Sequence, residues 1–221
     1  MEIDREGLEA KKIRELVNLS GQRILEVGCG KGRLTRTLKT EGNFVLAIDP
    51  DAEKIKVAEL VVPTANFLVA TIDDLHPDAK DLFNLIVFSM SLHHIGFSEE
   101  DKQRALHKAK ALLKPHGKIL VIEPMRHSAV TTIVNHFHPE ETLLINQANV
   151  ALSTFSAHTM GYLFFAELAW RYDSREELIF HFTEMMGVTQ SKALWRELLD
   201  NLHLPEEKIV LLDKISFVLI E

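Results

Sequence analysis

The chain has 221 residues, 46% hydrophobic and 26% charged, the length and balance of one globular unit with room for an elaboration. Its 32 acidic and 25 basic residues leave a net charge of −7, which argues against the basic face that a nucleic-acid backbone demands. The lone cysteine, Cys29, excludes an intrachain disulfide and is compatible with a reducing compartment.

Apolar residues at Leu8, Ile13, Leu16 and Val17 mark a helix over residues 4–18, closed by Ser20-Gly21. The first strand is expected at Arg23–Val27, feeding a helix from Gly32 to Lys39. Asn43–Ile48 reads as a strand buried on both faces, followed by Asp49-Pro50 and a helix from about Ala52. Asn66–Ala70 and Phe83–Ser89 are the third and fourth strands. Ser98 with Asp101 caps a helix running to Leu113, Pro115-His116-Gly117 turns the chain, and Lys118–Glu123 is the fifth strand. Buried strands alternating with helices imply an α/β fold, with a mostly parallel sheet wrapped on both faces.

After His127 the pattern becomes helical up to about Leu204, with no convincing strand. Pro139-Glu140-Glu141 suits a first helical turn, Ser174 to Glu177 is a capping box, and Gly187-Val188-Thr189 breaks the helices. The aromatic run Phe155, Tyr162, Phe164, Phe165, Trp170 and Tyr172 is expected to pack those helices. The most apolar long window, 157–170, holds His158, Thr159 and Glu167 and is too short and polar to span a bilayer. The first residues alternate in charge and show no leader pattern, so a cytoplasmic location is expected and no membrane contact. Residues 208–212 and 215–220 read as strands. Asp213-Lys214 is a poor hairpin turn, so two strands or one long bent strand both remain open. The expected division is a core over 1–126, a helical insertion over 127–204 and closing strands over 205–221.

The chemistry concentrates in Glu26-Val27-Gly28-Cys29-Gly30-Lys31-Gly32-Arg33. Glycines at alternate positions let a backbone turn sharply and lie against a ligand. A dinucleotide fingerprint requires G-x-G-x-x-G, yet the place of its third glycine is taken by Arg33. Asp49, at the end of the second strand, could cap the next helix or hold ribose hydroxyls.

The pattern E-x-G-x-G-x-G resembles the first motif of class I S-adenosylmethionine (SAM)-dependent methyltransferases. Asp49-Pro50, the stretch Phe83 to Ile95 and the turn Leu112-Leu113-Lys114-Pro115-His116-Gly117 resemble the family's later motifs in order. The resemblance covers about the first 125 residues. It implies a doubly wound, mostly parallel seven-stranded sheet with a helical lid inserted after the fifth strand. It also implies SAM as donor, with S-adenosylhomocysteine as product, held by Glu26, Gly28, Cys29, Gly30, Gly32, Asp49, Pro50, Thr71, Ile72, Asp73, Ser89 and Met90. Glu26 would face the sulfonium and α-amino charges. The family's Gly-Asp-Ala after the third strand is Ala70-Thr71-Ile72 here, so adenine would meet Thr71, the Ile72 backbone or Asp73.

A base is needed only if the acceptor arrives protonated. His93, His94 and Glu123 are the candidates; His94 comes first as base, with a loop-stabilising hydrogen-bond role open beside it, and Glu123 second. His136 and His138 with Glu140 and Glu141 lack helical ligand spacing, and no metal is expected. The expected function is methyl transfer to a small-molecule oxygen, nitrogen or carbon acceptor under the lid. A protein substrate and a SAM-binding regulatory or assembly module without catalysis are the alternatives. The surplus apolar residues of the insertion allow a homodimer contact.

Overall fold

A computed structural model describes residues 2–76, 83–157, 159–186 and 190–221. The central strands are β2 (Arg23–Val27), β3 (Phe44–Asp49), β4 (Asn66–Val69), β5 (Phe83–Ser89) and β6 (Leu113–Pro124). They pair in parallel in the spatial order β4-β3-β2-β5-β6. β8 (Glu207–Ile220) adds antiparallel to β6, and β7 (Gly161–Ser174) antiparallel to β8. Seven is the expected number, although β7 falls where helix was expected. An eighth, β1 (Glu2–Ile3), pairs with Arg171 and Trp170 at the β7 edge.

Near-continuous apolar strands are buried because helices cover both faces. One core packs Leu25, Val27, Ile86, Phe88 and Ile119 against α4 (Glu99–Ala111) and α6 (Glu140–Ser156). The other packs Ile24, Val45, Leu85, Val87 and Leu120 against Ile13 of α1 (Leu8–Leu16) and Leu38 of α2 (Thr35–Leu38). Each such side chain taken fully out of water contributes about 1.5–3 kcal/mol. Parallel register aligns Val27 with Ile48 and Phe88, so the carboxyl ends of β2, β3 and β5 open onto one edge.

Three expectations are corrected. The segment 127–204 is not wholly helical, because β7 runs through it for 14 residues. Gly-Tyr-Leu-Phe-Phe-Ala-Glu-Leu-Ala-Trp has no clean period of two, and its Ala, Leu and Glu favour helix; pairing to β8 along its length overrides that propensity. Tyr162, Phe164, Phe165, Trp170 and Tyr172 are therefore strand residues, and only Phe155 of that run sits on a helix. The insertion after the fifth parallel strand is α5 (Ala129–Phe137) with α6. α7 (Arg175–Met186) and α8 (Lys192–Asn201) instead link β7 to β8, so the sheet does not respect a boundary at 204.

The carboxyl-terminal residues form a single strand, the second of the two open readings. The first helix is shorter than expected: residues 4–7 turn between β1 and α1, with Gly7 at φ +63°, and Val17 is already extended. The expected break at Gly187-Val188-Thr189 lies outside the described residues.

Candidate active site at the carboxyl edge of the sheet

The glycine loop leaves β2 with Gly28 at φ +76° and Gly30 at φ +53°. A Cβ on Gly28 would overlap the Cβ of Ser91, whose hydroxyl donates to the Val27 carbonyl at 2.6 Å. A Cβ on Gly30 would meet nothing within 4 Å. Gly28 is thus a close-packing glycine, whereas Gly30 leaves its outer side clear for a ligand. Gly32 faces Ala58 of α3 (Ala52–Val61) at 3.2 Å, so it too is a packing position.

Asp49 lies across the loop, 6% exposed. The Gly30 amide donates to its Oδ2 at 2.8 Å and the Asp51 amide to its Oδ1 at 3.0 Å. The helix cap that Asp49 might have supplied comes from Asp51, whose Oδ1 accepts from the Glu53 and Lys54 amides. A carboxylate offers about four lone-pair positions, so Asp49 retains acceptor capacity on each oxygen. Pro50 is exposed beside it.

Glu26 does not face the mouth of the loop. It is 1% exposed, and its Oε2 accepts from the Thr35 hydroxyl at 2.6 Å, under the start of α2. Burial pushes its carboxyl up to about 7, against the Thr35 hydrogen bond and the Arg33 charge. Cys29 is buried as well, and burial raises its thiol. After β4, Thr71 donates its amide and hydroxyl to Asp74 Oδ2, which leaves the hydroxyl with acceptor capacity only. Ile72 is buried, and exposed Asp73 is paired with Arg104 at 3.3 Å.

After β5, Met90 holds φ +51°, an uncommon conformation for a residue with a side chain, while its amide donates to the Ile122 carbonyl at 2.8 Å. Ser89 accepts from Arg33 at 3.4 Å, and Arg33 also forks onto the two oxygens of buried Glu9 in α1.

His93 and His94 follow in a short helical turn, their rings 3.9 Å apart. His93 is buried between two carboxylates: Glu123 at its Nδ1, and Glu141 Oε1 at 3.0 Å from its Nε2. The other Glu123 oxygen accepts from the Leu92 amide at 2.9 Å. Burial opposes charge on His93, yet Glu123 and then Glu141 outweigh it and push its pKa up to about 10. His94 is 60% exposed, 4.0 Å from the same Glu141 oxygen, and is lowered by desolvation and by the neighbouring His93 charge. Glu123 is 1% exposed with both oxygens engaged, one by the Leu92 amide and the other by His93.

Sequence reasoning missed three residues here. Glu141 belongs to α6, and nothing along the chain ties it to His93, 48 positions away. Lys102 is fully buried and spreads its ammonium over the carbonyls of Ile95, Gly96 and Ser98 and over Gln147 of α6 at 3.2–3.4 Å. Its place on a charged helix gave no hint of that. Arg33 was noted only for not being glycine. Glu141 and Gln147 together fasten α6 to the loop after β5. A cleft of about 330 Å³ lined by Lys110, Lys114, His116 and Glu221 lies at the opposite end of β6 and holds none of these groups.

Residues 24–117 match the family described as methyltransferase domain. An uncharacterised methyltransferase of Bacillus cytotoxicus is 33% identical over 108 residues, covering 49% of this chain and 50% of that protein. The ubiquinone biosynthesis O-methyltransferase of Xylella fastidiosa is 34% identical over 113 residues, covering 49% and 44%. The chain spans about half the length of these curated relatives. A solved protein from Bacillus halodurans superposes with TM-score 0.65 at 13% identity over 97% of this chain and 98% of its own. The YcgJ protein of Bacillus subtilis superposes at 0.55 and 17% identity, covering 97% of each. At such identities these two likenesses establish the fold alone. The family's cofactor is S-adenosylmethionine, and the open Gly30 cradle with a half-used Asp49 carboxylate fits it. Residues 24–117 thus carry a methyltransferase domain, on a sheet with the strand order expected of the class I SAM-dependent methyltransferases.

Proposed function

We propose that this chain transfers the methyl group of SAM to a small-molecule acceptor bound between the loop after β5 and α6. The observation that carries the reading is the pairing of Gly30 with Asp49: an unobstructed glycine whose amide orients a carboxylate released from capping by Asp51. SAM, when bound, supplies a methyl group already activated by its sulfonium. The protein's task is then alignment and exclusion of water. The Gly28–Gly32 backbone and Cys29 border the methionine portion. Asp49 accepts the ribose hydroxyls, Pro50 lies flat against adenine, and Thr71 takes the adenine amino group. Ser89 and Met90 border the donor from the β5 side. Glu26 acts from beneath the loop, as a buried carboxylate favouring positive charge above it.

His94 is the exposed ring at this edge and is the group that meets the acceptor. Glu123 acts through His93 and is a positioning residue. The fastening of α6 by Glu141 and Gln147 supports a roof over the acceptor, built from α5 and α6 and not from the whole 127–204 segment. The name of the Xylella relative supports an oxygen acceptor.

Tritium-labelled SAM supplied with a small-molecule extract is expected to yield labelled small product. His94→Ala is expected to lower that yield by about 10²-fold or more while leaving calorimetric S-adenosylhomocysteine affinity intact. Asp49→Ala is expected to weaken that affinity at least tenfold. Label in the protein fraction would shift the acceptor to a protein. Tight binding with no labelled product from either fraction would favour a regulatory module.

A further inference from the structure

The geometry points to a divalent-cation site formed by His93 Nε2, His94 Nε2 and Glu141 Oε1, open on the acceptor side. This rests on the methyl-transfer reading only for its purpose; the site itself stands on the side chains.

Three observations carry it. First, the three donor atoms lie within 4.8 Å of one another, with separations of 3.0 and 4.0 Å to the shared carboxylate oxygen. Zinc–nitrogen and zinc–oxygen bonds of about 2.0–2.2 Å at tetrahedral angles place ligand atoms roughly 3.3–3.5 Å apart, between those two separations.

Second, Glu123 holds the Nδ1 of His93 while the Leu92 amide holds Glu123. A carboxylate on one ring nitrogen, itself fixed by a further hydrogen bond, aims the opposite nitrogen and makes it a stronger ligand. Third, the burial is graded. His93 is 3% exposed, Glu141 15% and His94 60%, so the cluster is rooted in the protein and opens toward solvent at one vertex. Two imidazoles and a carboxylate with a free fourth position form the donor set of a catalytic zinc-type centre, where closed structural sites use four protein ligands.

Two ligands come from the loop after β5 and one from α6, so an ion here would also clamp the roof to the sheet. Its chemical use follows from the open vertex. An acceptor hydroxyl or thiol directed there gives its proton to water. Its electron pair forms the new bond to the methyl carbon while the sulfur–methyl bond breaks, and that pair returns to sulfur as the thioether. The substrate class is therefore a protonated oxygen or sulfur acceptor, in preference to an amine or a carbon.

The test uses the full chain, stripped by chelator and dialysed, with zinc titrated calorimetrically and bound metal counted by mass spectrometry. One ion per chain with a dissociation constant of about 1 µM or tighter is expected. Glu141→Gln and His94→Ala should each weaken it at least tenfold while near-ultraviolet circular dichroism is unchanged. Cobalt(II) in the same site should show the intense visible bands of a tetrahedral ion. Absence of saturable binding would overturn the site, as would affinity indifferent to both substitutions. S-adenosylhomocysteine binding, measured on the same samples without metal, separates failure of this site from failure of the methyltransferase reading.

Discussion

Alanine at Gly28 is expected to destabilise the protein by about 2–5 kcal/mol, whereas alanine at Gly30 costs about 1–2 kcal/mol and strikes the cofactor instead. Both glycines hold positive φ, so both substitutions carry the left-handed penalty. Only at Gly28 does the new methyl collide, and it collides with Ser91 Cβ, which cannot withdraw because the Ser91 hydroxyl is tied to the Val27 carbonyl. Urea denaturation measures the stability arm and calorimetry with S-adenosylhomocysteine the binding arm. Gly30→Ala should keep a melting temperature within several degrees of the parent and lose at least tenfold in affinity. Adding Ser91→Gly to Gly28→Ala should restore the packing part of the loss and leave the dihedral part. Equal stability costs at the two positions would show that the loop is not divided into a packing glycine and a ligand-facing one.

That division shows what the sequence could and could not disclose. Buried strands with their glycine turn and terminal acid announce themselves locally, because parallel strands read as apolar runs and tight turns demand glycine. β2 to β6 and the placing of Asp49 were legible for that reason. Even there, the choice between cap and ligand for Asp49 needed Asp51, two residues on, to be seen capping α3.

What stayed hidden depends on partners distant in the chain. β7 takes its form from β8, about 33 to 59 residues away along the paired positions, while its own residues favour helix. Glu141 reads as an ordinary first-turn acid of α6; its meaning appears only when α6 lies across the loop after β5. The same holds for Glu26, whose charge suggested a ligand for SAM's ammonium but whose side chain turns inward to Thr35. Spacing along a chain reports local geometry, and a site shared by two elements falls outside its reach.

Asp213→Asn is expected to stabilise the protein at pH 8 and to be neutral near pH 4. Asp213 lies in β8 opposite Leu168, 3% exposed, with Oδ1 lacking a hydrogen-bond partner. Burial raises its carboxyl from 3.8 to about 6; the Glu9 charge adds to the rise and a hydrogen bond from Ser128 opposes it. Between those two values the native chain holds a proton that the unfolded chain has released. Stability therefore falls as pH climbs through this window, and the loss is complete above about 6. Two units of pKa correspond to roughly 3 kcal/mol, which the neutral amide avoids.

Thermal melts of both proteins at pH 4, 5, 6, 7 and 8 should show the curves diverging upward through that interval and parallel above it. A difference that does not change with pH would mean that the Asp213 carboxyl titrates in the native chain as it does in the unfolded one. Its neighbour Lys214 accepts the Met125 amide at 2.8 Å, and Ser128 caps α5. Asp213 therefore sits where the sheet meets the first helix of the proposed roof. Asp213→Asn should then gain stability without gaining turnover, and a loss of turnover at pH 8 alone would assign the ionised form a part in catalysis.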